Sequence, residues 1–210
     1  MATAYLIGGA PRVGKTTLAM RVIARHPMFA VSADAVRDVL QGVLKPATHP
    51  DLFEMLELSR HESAMAKFLD NHPYEGVTMQ NDESAIVWPS INQFIQTHLS
   101  DGQDILVEGV EILPEWLTYV TYDYKIVFLG NTSADHANQI AMQAHPNQHD
   151  WMHRYTDNSI ASWAGLVREF SRYVKGQAAE HDMPFIETND DNLEASMREA
   201  ERVLLDQTSS

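Results

Sequence analysis

Between Gly9 and Thr16 the chain reads G-x-x-x-x-G-K-T, and this is the stretch whose residue types most plainly carry chemistry. The charge of a polyphosphate is best met by several backbone N–H groups pointing inward at the positive end of a helix, and glycines let the backbone fold that closely. In this pattern Gly9, Ala10, Pro11, Arg12, Val13 and Gly14 form the cradle, and Lys15 supplies a point charge for the β- and γ-phosphates. The Thr16 hydroxyl is placed to ligate Mg²⁺, and Thr17 can bond the α-phosphate. The flanks agree with the string: Tyr5, Leu6 and Ile7 read as a short buried strand, and Leu18, Ala19, Val22 and Ile23 put an apolar stripe on a following helix.

Asp34 and Arg37 form a second constellation. Met28 to Asp34 reads as a strand running into a helix whose Val36, Val39, Leu40 and Val43 share a face. Ligands of open parallel sheets bind at the carboxyl ends of the strands, which directs Asp34 and Arg37 toward the γ-phosphate side of the loop. A carboxylate there can accept the proton of a substrate hydroxyl, and an arginine one turn later can hold an anionic group. The competing reading makes Asp34 a helix cap. Asp104 to Val110 gives a third, continuously apolar strand with Glu108 at its carboxyl end, where an acid can organise Mg²⁺ or its water; the alternative is a surface carboxylate.

Further along, residues 145–158 form a polar, proline-containing interruption between two helical patterns, and the expectation is a mobile lid. It carries Arg154, and the helix expected from Ile160 to His181 carries Arg168 and Arg172 on one face. Arginines closing over a transferring phosphoryl group stabilise its charge, with ordinary ion pairs to Glu169 or Asp182 as the competing reading. His145, His149 and His153 recur at a spacing that aligns them on a helix. Pro146 and Asn147 weaken such a helix and no H-E-x-x-H pattern is present, so a metal is set aside there.

The elements that must position these groups alternate strand and helix at both ends of the chain and break that rhythm between. From about 45 to 101 the patterns are helical, over Asp51 to Asp70 and Glu83 to Leu99, punctuated by Pro46, Pro50 and Pro73. This insert is expected to form a substrate-binding cap, with His61 and Glu62 as solvated positions. Tyr124 to Gly130 reads as the fourth strand, His136 to Ala144 as a helix, Met183 to Thr188 as the fifth strand and Asp191 to Asp206 as a closing amphipathic helix, with residues 208–210 frayed.

A length of 210 residues suits one α/β domain with a sizeable core. The absence of cysteine excludes a disulfide framework and a thiolate metal site. Residues 1–30 lack the order of a signal peptide and no apolar run reaches bilayer-spanning length, so a soluble cytoplasmic protein is expected. The formal net charge of −14 argues against a nucleic-acid groove. A nucleotide anion must then be captured locally, by Mg²⁺, the loop amides and a few arginines.

Five strands with a phosphate loop after the first, an acid and arginine after the second and a helical insert before the third resemble the small-molecule kinases of the adenylate-kinase-like group, whose sheet order is 2-3-1-4-5. More narrowly, GGAPRVGKTTLA, SADAVRDVL, ILVEGVEILP and VREFSRYVKGQAAEHDMPFIET resemble the P-loop kinase portion of 2-phosphoglycerate kinases, over most of the chain except about 45 to 80. The resemblance implies a three-layer α/β P-loop NTPase fold with a five-stranded parallel sheet, a helical cap and a lid. It also implies ATP- and Mg²⁺-dependent transfer of the γ-phosphate to a hydroxyl of a small-molecule acceptor, 2-phosphoglycerate in that family. Asp34 matches the acid that activates the acceptor hydroxyl, and Arg37 matches the D-x-x-R arginine that holds the acceptor. Where the family run reads EGVH, this chain reads EGVE, and an acid at Glu111 repels a phosphorylated acceptor. A nucleotide-dependent regulatory ATPase or switch is the alternative class, although GNTSAD after the fourth strand is not a guanine signature. A polynucleotide kinase is a third reading that the acidity disfavours. The oligomeric state stays open at this stage.

Overall fold

The alternation of short apolar runs with amphipathic helices resolves, in a computed structural model, into five parallel strands flanked by helices. The structure describes residues 2–188 and 190–206, so the fraying expected at 208–210 lies outside the described residues. The strands are β1 Ala4–Gly9, β2 Phe29–Ser32, β3 Ile105–Glu108, β4 Tyr124–Gly130 and β5 Phe185–Glu187, in the order β2-β3-β1-β4-β5. Leu6, Ile7, Ile105, Leu106, Val107, Val127, Phe128 and Leu129 are sealed from solvent, as expected of a parallel sheet covered on both faces. In the register, Glu108 stands level with Ile7 on one side and Ser32 on the other, so β2 and β3 end together while β1 runs two residues further, to Gly9, before entering the loop.

The first helix, α1 Lys15–Arg25, buries Leu18, Ala19 and Val22. Its N-cap, Gly14, is left-handed at φ 96, a conformation that costs glycine little. At Gly9, φ is +123 and an added Cβ would stand 1.9 Å from the Leu129 carbonyl oxygen, so glycine is required where β1 enters the loop. Helix α2 Ala33–Val43 begins two residues earlier than its apolar pattern suggests, which puts Asp34 inside the first turn; the N-cap is Ser32.

The helical insert comprises α3 Asp51–Ser59, α4 Glu62–Asn71 and α5 Pro73–Ser100. The single pattern read over Asp51 to Asp70 is in fact two helices, because His61 leaves the helical region at φ −121 and ψ 88. The break lets α3 pack on α5 while α4 packs on a later helix, α8 Asp157–Glu180. Helix α5 starts ten residues before the expected Glu83, at Pro73, since a proline at the first helical position sacrifices no internal hydrogen bond. The remaining helices are α6 Pro114–Leu117, α7 His136–Ala144 and α9 Leu193–Asp206. Among the described residues no helix is long and apolar enough to cross a membrane.

Candidate active site

The loop from Gly9 to Thr16 wraps the start of α1, and Lys15 lies inside it, 8% exposed, donating to the Ala10 carbonyl at 2.7 Å. Burial lowers the Lys15 pKa, while Glu108, Asp34 and Glu111 oppose that shift by favouring the charged ammonium. The Thr16 hydroxyl donates to Glu108 Oε1 at 3.2 Å across the gap between α1 and β3. Threonine and glutamate oxygens are the hard donors that Mg²⁺ takes, and their pairing at the mouth of a phosphate cradle fits that ion. Thr16 and Thr17 are both exposed, whereas Ala10 and Val13 are buried as the structural part of the loop.

Asp34 and Arg37 meet beside this loop, at 2.9 Å. Their setting is more acidic than the local sequence indicates. Besides Asp34, the Arg37 guanidinium faces Asp38 at 3.2 Å, Glu111 at 3.6 Å and Glu83 at 3.8 Å. Gly109 permits this closeness, since an added Cβ there would stand 2.3 Å from the Ala33 Cβ and 2.7 Å from Glu111 Oε2. Glu111 is fully buried, and neither of its carboxyl oxygens reaches a hydrogen-bond donor on another residue. Its pKa is pushed up to about 8, first by burial and then by Asp34, against the pull of Arg37. Glu83 is likewise raised to about 7, chiefly by burial, and accepts one hydrogen bond from Gln80 at 3.3 Å.

The segment 145–156 packs against the phosphate loop. Arg12 donates to both carboxylate oxygens of Asp150, at 2.6 Å for one of them, and its guanidinium lies 5.2 Å from the Trp151 ring centroid. The Arg12 hydrogen bond holds the Asp150 carboxyl below its usual range. At the far end Glu62 of α4 accepts from the Thr156 backbone N–H at 2.8 Å and its hydroxyl at 3.1 Å. Thr156 also caps α8 by accepting from the Ser159 N–H, which is why that helix starts at Asp157 instead of Ile160. Arg154 lines a cleft of about 680 Å³ with Glu62, Asp150, Trp151, His153 and Tyr155. Arg168 and Arg172 instead converge on the buried carboxylate of Glu169, at 3.4 and 2.7 Å. His145 bonds Asp157 at 2.9 Å, and among the described residues no three acidic or histidine groups are arranged to hold a metal.

Two participants were not singled out from the sequence. Glu83 had a signal, since it stands four residues before Val87 on the stripe that continues through Ile91 and Ile95, an acid on a buried face. Asp150 had none, because its partner Arg12 lies 138 residues away.

This architecture has counterparts among solved structures. A shikimate kinase from Bacteroides thetaiotaomicron superposes with a TM-score of 0.55 at 13% identity, covering 98% of this chain and 99% of that one. The chain has the fold of the P-loop small-molecule kinases. A shikimate kinase from Acinetobacter baumannii, solved in complex with shikimate, gives a TM-score of 0.50 at 15% identity, over 98% of this chain and 94% of that one. In sequence the chain is a distant relative of archaeal 2-phosphoglycerate kinases. The Methanopyrus kandleri protein is 26% identical over 184 residues, 86% of this chain and 54% of that protein. The Methanothermobacter thermautotrophicus protein is 26% identical over 190 residues, 88% and 60% respectively. The chain thus spans little more than half the length of the curated relatives it matches. No family model matches it.

The buried acids make stability depend on pH. Glu111 and Glu83 titrate above the ordinary 4.5 when folded, so the unfolded chain ionises first as pH rises. The stability they contribute is fully present below about pH 4.5 and is lost as pH rises through 7 to 8. The charges facing them are Asp34, Arg37 and Asp38 of α2 and Lys15 of α1. Glu111→Gln is therefore expected to raise the melting temperature by several degrees at pH 8 and to change it little at pH 5, at about 2–4 °C per kcal/mol for this size. Equal melting curves for parent and variant at both pH values would contradict the assignment.

Proposed function

We propose that this chain is an ATP- and Mg²⁺-dependent phosphotransferase that moves the γ-phosphate to a hydroxyl of a small-molecule acceptor. The observation that carries the reading is the convergence at the carboxyl ends of the central strands of the phosphate loop with Lys15, the Thr16 and Glu108 oxygens, and Asp34. The fold shared with shikimate kinases and the distant likeness to 2-phosphoglycerate kinases support it. In this reading the whole chain is one kinase domain, with the insert at about 45–101 as a cap over the acceptor and the segment at about 145–158 as a lid. The relatives' chemistry accords with a cytoplasmic location.

The amides of residues 9–17 and Lys15 hold the β- and γ-phosphates, and Thr16 and Glu108 are the residues that would hold Mg²⁺. That ion, when bound, neutralises charge developing on the phosphates. Asp34 accepts the proton of the acceptor hydroxyl as its oxygen forms the new bond to the γ-phosphorus. The bond from that phosphorus to the β,γ-bridging oxygen breaks, ADP leaves with the electron pair, and the Asp34 proton passes to solvent. Little covalent chemistry is asked of the protein, since positioning and charge stabilisation do most of the work. Arg37 orients Asp34. Among the three arginines near the lid, Arg154 fits the role of closing charge best, because Arg168 and Arg172 are already matched by Glu169.

Two outcomes follow. ATP consumption screened against a panel of small hydroxylated metabolites, with water as the blank, should reveal an acceptor. On that acceptor Asp34→Asn should lower transfer by roughly 10²-fold or more with little change in melting temperature, since Asp34 is 57% exposed. Full transfer by the variant would remove Asp34 from the chemistry. Likewise, Arg154→Ala should lower turnover more than it weakens ATP binding, while Arg168→Ala and Arg172→Ala keep near-parental rates. The reverse ranking would assign the closing role to the α8 pair.

A further inference from the structure

The corner that receives the acceptor in the reading above has the wrong charge for a phosphorylated acid. Arg37, the arginine there, is met by Asp34 at 2.9 Å, Asp38 at 3.2 Å, Glu111 at 3.6 Å and Glu83 at 3.8 Å. An incoming phosphate or carboxylate would find that guanidinium already surrounded, with four acids within a few ångströms. The short contacts are made by Asp34 and Asp38, which are more than half exposed, and the long ones by the buried Glu83 and Glu111. Glu111 is fully buried with both oxygens lacking a hydrogen-bond donor from another residue, and its 3.6 Å approach to Arg37 is too long for a hydrogen bond. Both oxygens of this buried acid are thus open to donors that neighbouring residues do not supply.

We propose that the acceptor hydroxyl is carried by a molecule bearing a protonated amine, an amino alcohol or amino sugar, whose ammonium is held by Glu111 and Glu83 while its hydroxyl faces Asp34. This deepens the phosphotransferase reading and rests on it. An ammonium brings one positive charge and three N–H donors, which match the unpaired Glu111 oxygens and the singly bonded Glu83. An ammonium beside Glu111 and Glu83 favours their ionised forms against the burial that raises both, so binding the cation and ionising these acids support one another. Asp34, Glu83 and Glu111 all face the same guanidinium nitrogen, Nη1, so the three carboxyl groups lie close enough together to meet one small cation-bearing molecule. Asp34, 2.9 Å from the same guanidinium, is near enough for one small molecule to reach it and the buried pair together.

The test is a melting-temperature series on the full chain with Mg²⁺ and a non-hydrolysable ATP analogue. The probes are glucosamine against glucose, 2-amino-1,3-propanediol against glycerol, and 2-phosphoglycerate as the anion. At least one aminated probe should add on the order of 3 °C near saturation, with its neutral partner and 2-phosphoglycerate adding less than about a third of that. Glu111→Gln, which keeps the side-chain shape and removes a buried acid, should fold at least as well and lose the discrimination; Glu83→Gln should weaken it. Equal shifts within each pair, no shift from either amine, or a larger shift with 2-phosphoglycerate would overturn the proposal while the analogue alone still stabilises the chain. If the analogue itself gives no shift, the phosphotransferase reading fails first, and this proposal with it.

Discussion

Lys15 takes its ammonium out of water at the point where the phosphate loop closes, and much of the surrounding structure serves to keep that ion charged. Burial works against it, and the carboxylates of Glu108, Asp34 and Glu111 work for it. These acids arrive from the end of β3, the first turn of α2 and the loop after β3, so they can act together only because β2 and β3 end side by side, next to β1 where it nears the phosphate loop. The β2-β3-β1 register provides that alignment, with Glu108 flanked by Ile7 and Ser32. The glycines fit the same demand: Gly9 lets the loop pass against the Leu129 carbonyl, and Gly109 lets Glu111 fold in beside Ala33.

The acids that sustain Lys15 also divide the site into two electrostatic halves. On the loop side, backbone amides, Lys15 and the helix N-terminus favour polyphosphate. On the α2 and α5 side, Asp34, Asp38, Glu83 and Glu111 crowd a single arginine and favour a neutral or positive partner. In a chain whose net charge is −14, a nucleotide anion would have to be captured by that first half alone. Arg12 ties the loop half to the 145–156 segment through Asp150 and Trp151, so the loop and the candidate lid are directly linked.

Features carried by neighbouring residues were legible in the sequence. The phosphate loop, Asp34 with Arg37, and Glu108 at a strand end are local patterns, and the structure brings them together at the carboxyl ends of the strands. The strand order came with the kinase resemblance, since no local property dictates which strands pair. Features set by tertiary contact were not legible. The break at His61 satisfies two packing partners at once, and Asp150 acts through a residue far away in the chain. Glu83 lay between these cases, an acid on an apolar stripe whose meaning depended on α5 packing against α2. The bonding of Arg168 and Arg172 to Glu169 was visible as neighbouring charges, but only the fold shows them converging on it.

The central claim is that Lys15 is the cation meeting the phosphates of a bound nucleotide. Its most direct test is ATP binding and ATP turnover measured on the parent and on Lys15→Ala in the presence of Mg²⁺, with the fold of each checked by circular dichroism. Turnover is expected to fall by roughly 10²-fold or more in a variant that remains folded, because the point charge on the β- and γ-phosphates is gone. Equal binding and equal turnover in the two proteins would contradict the account.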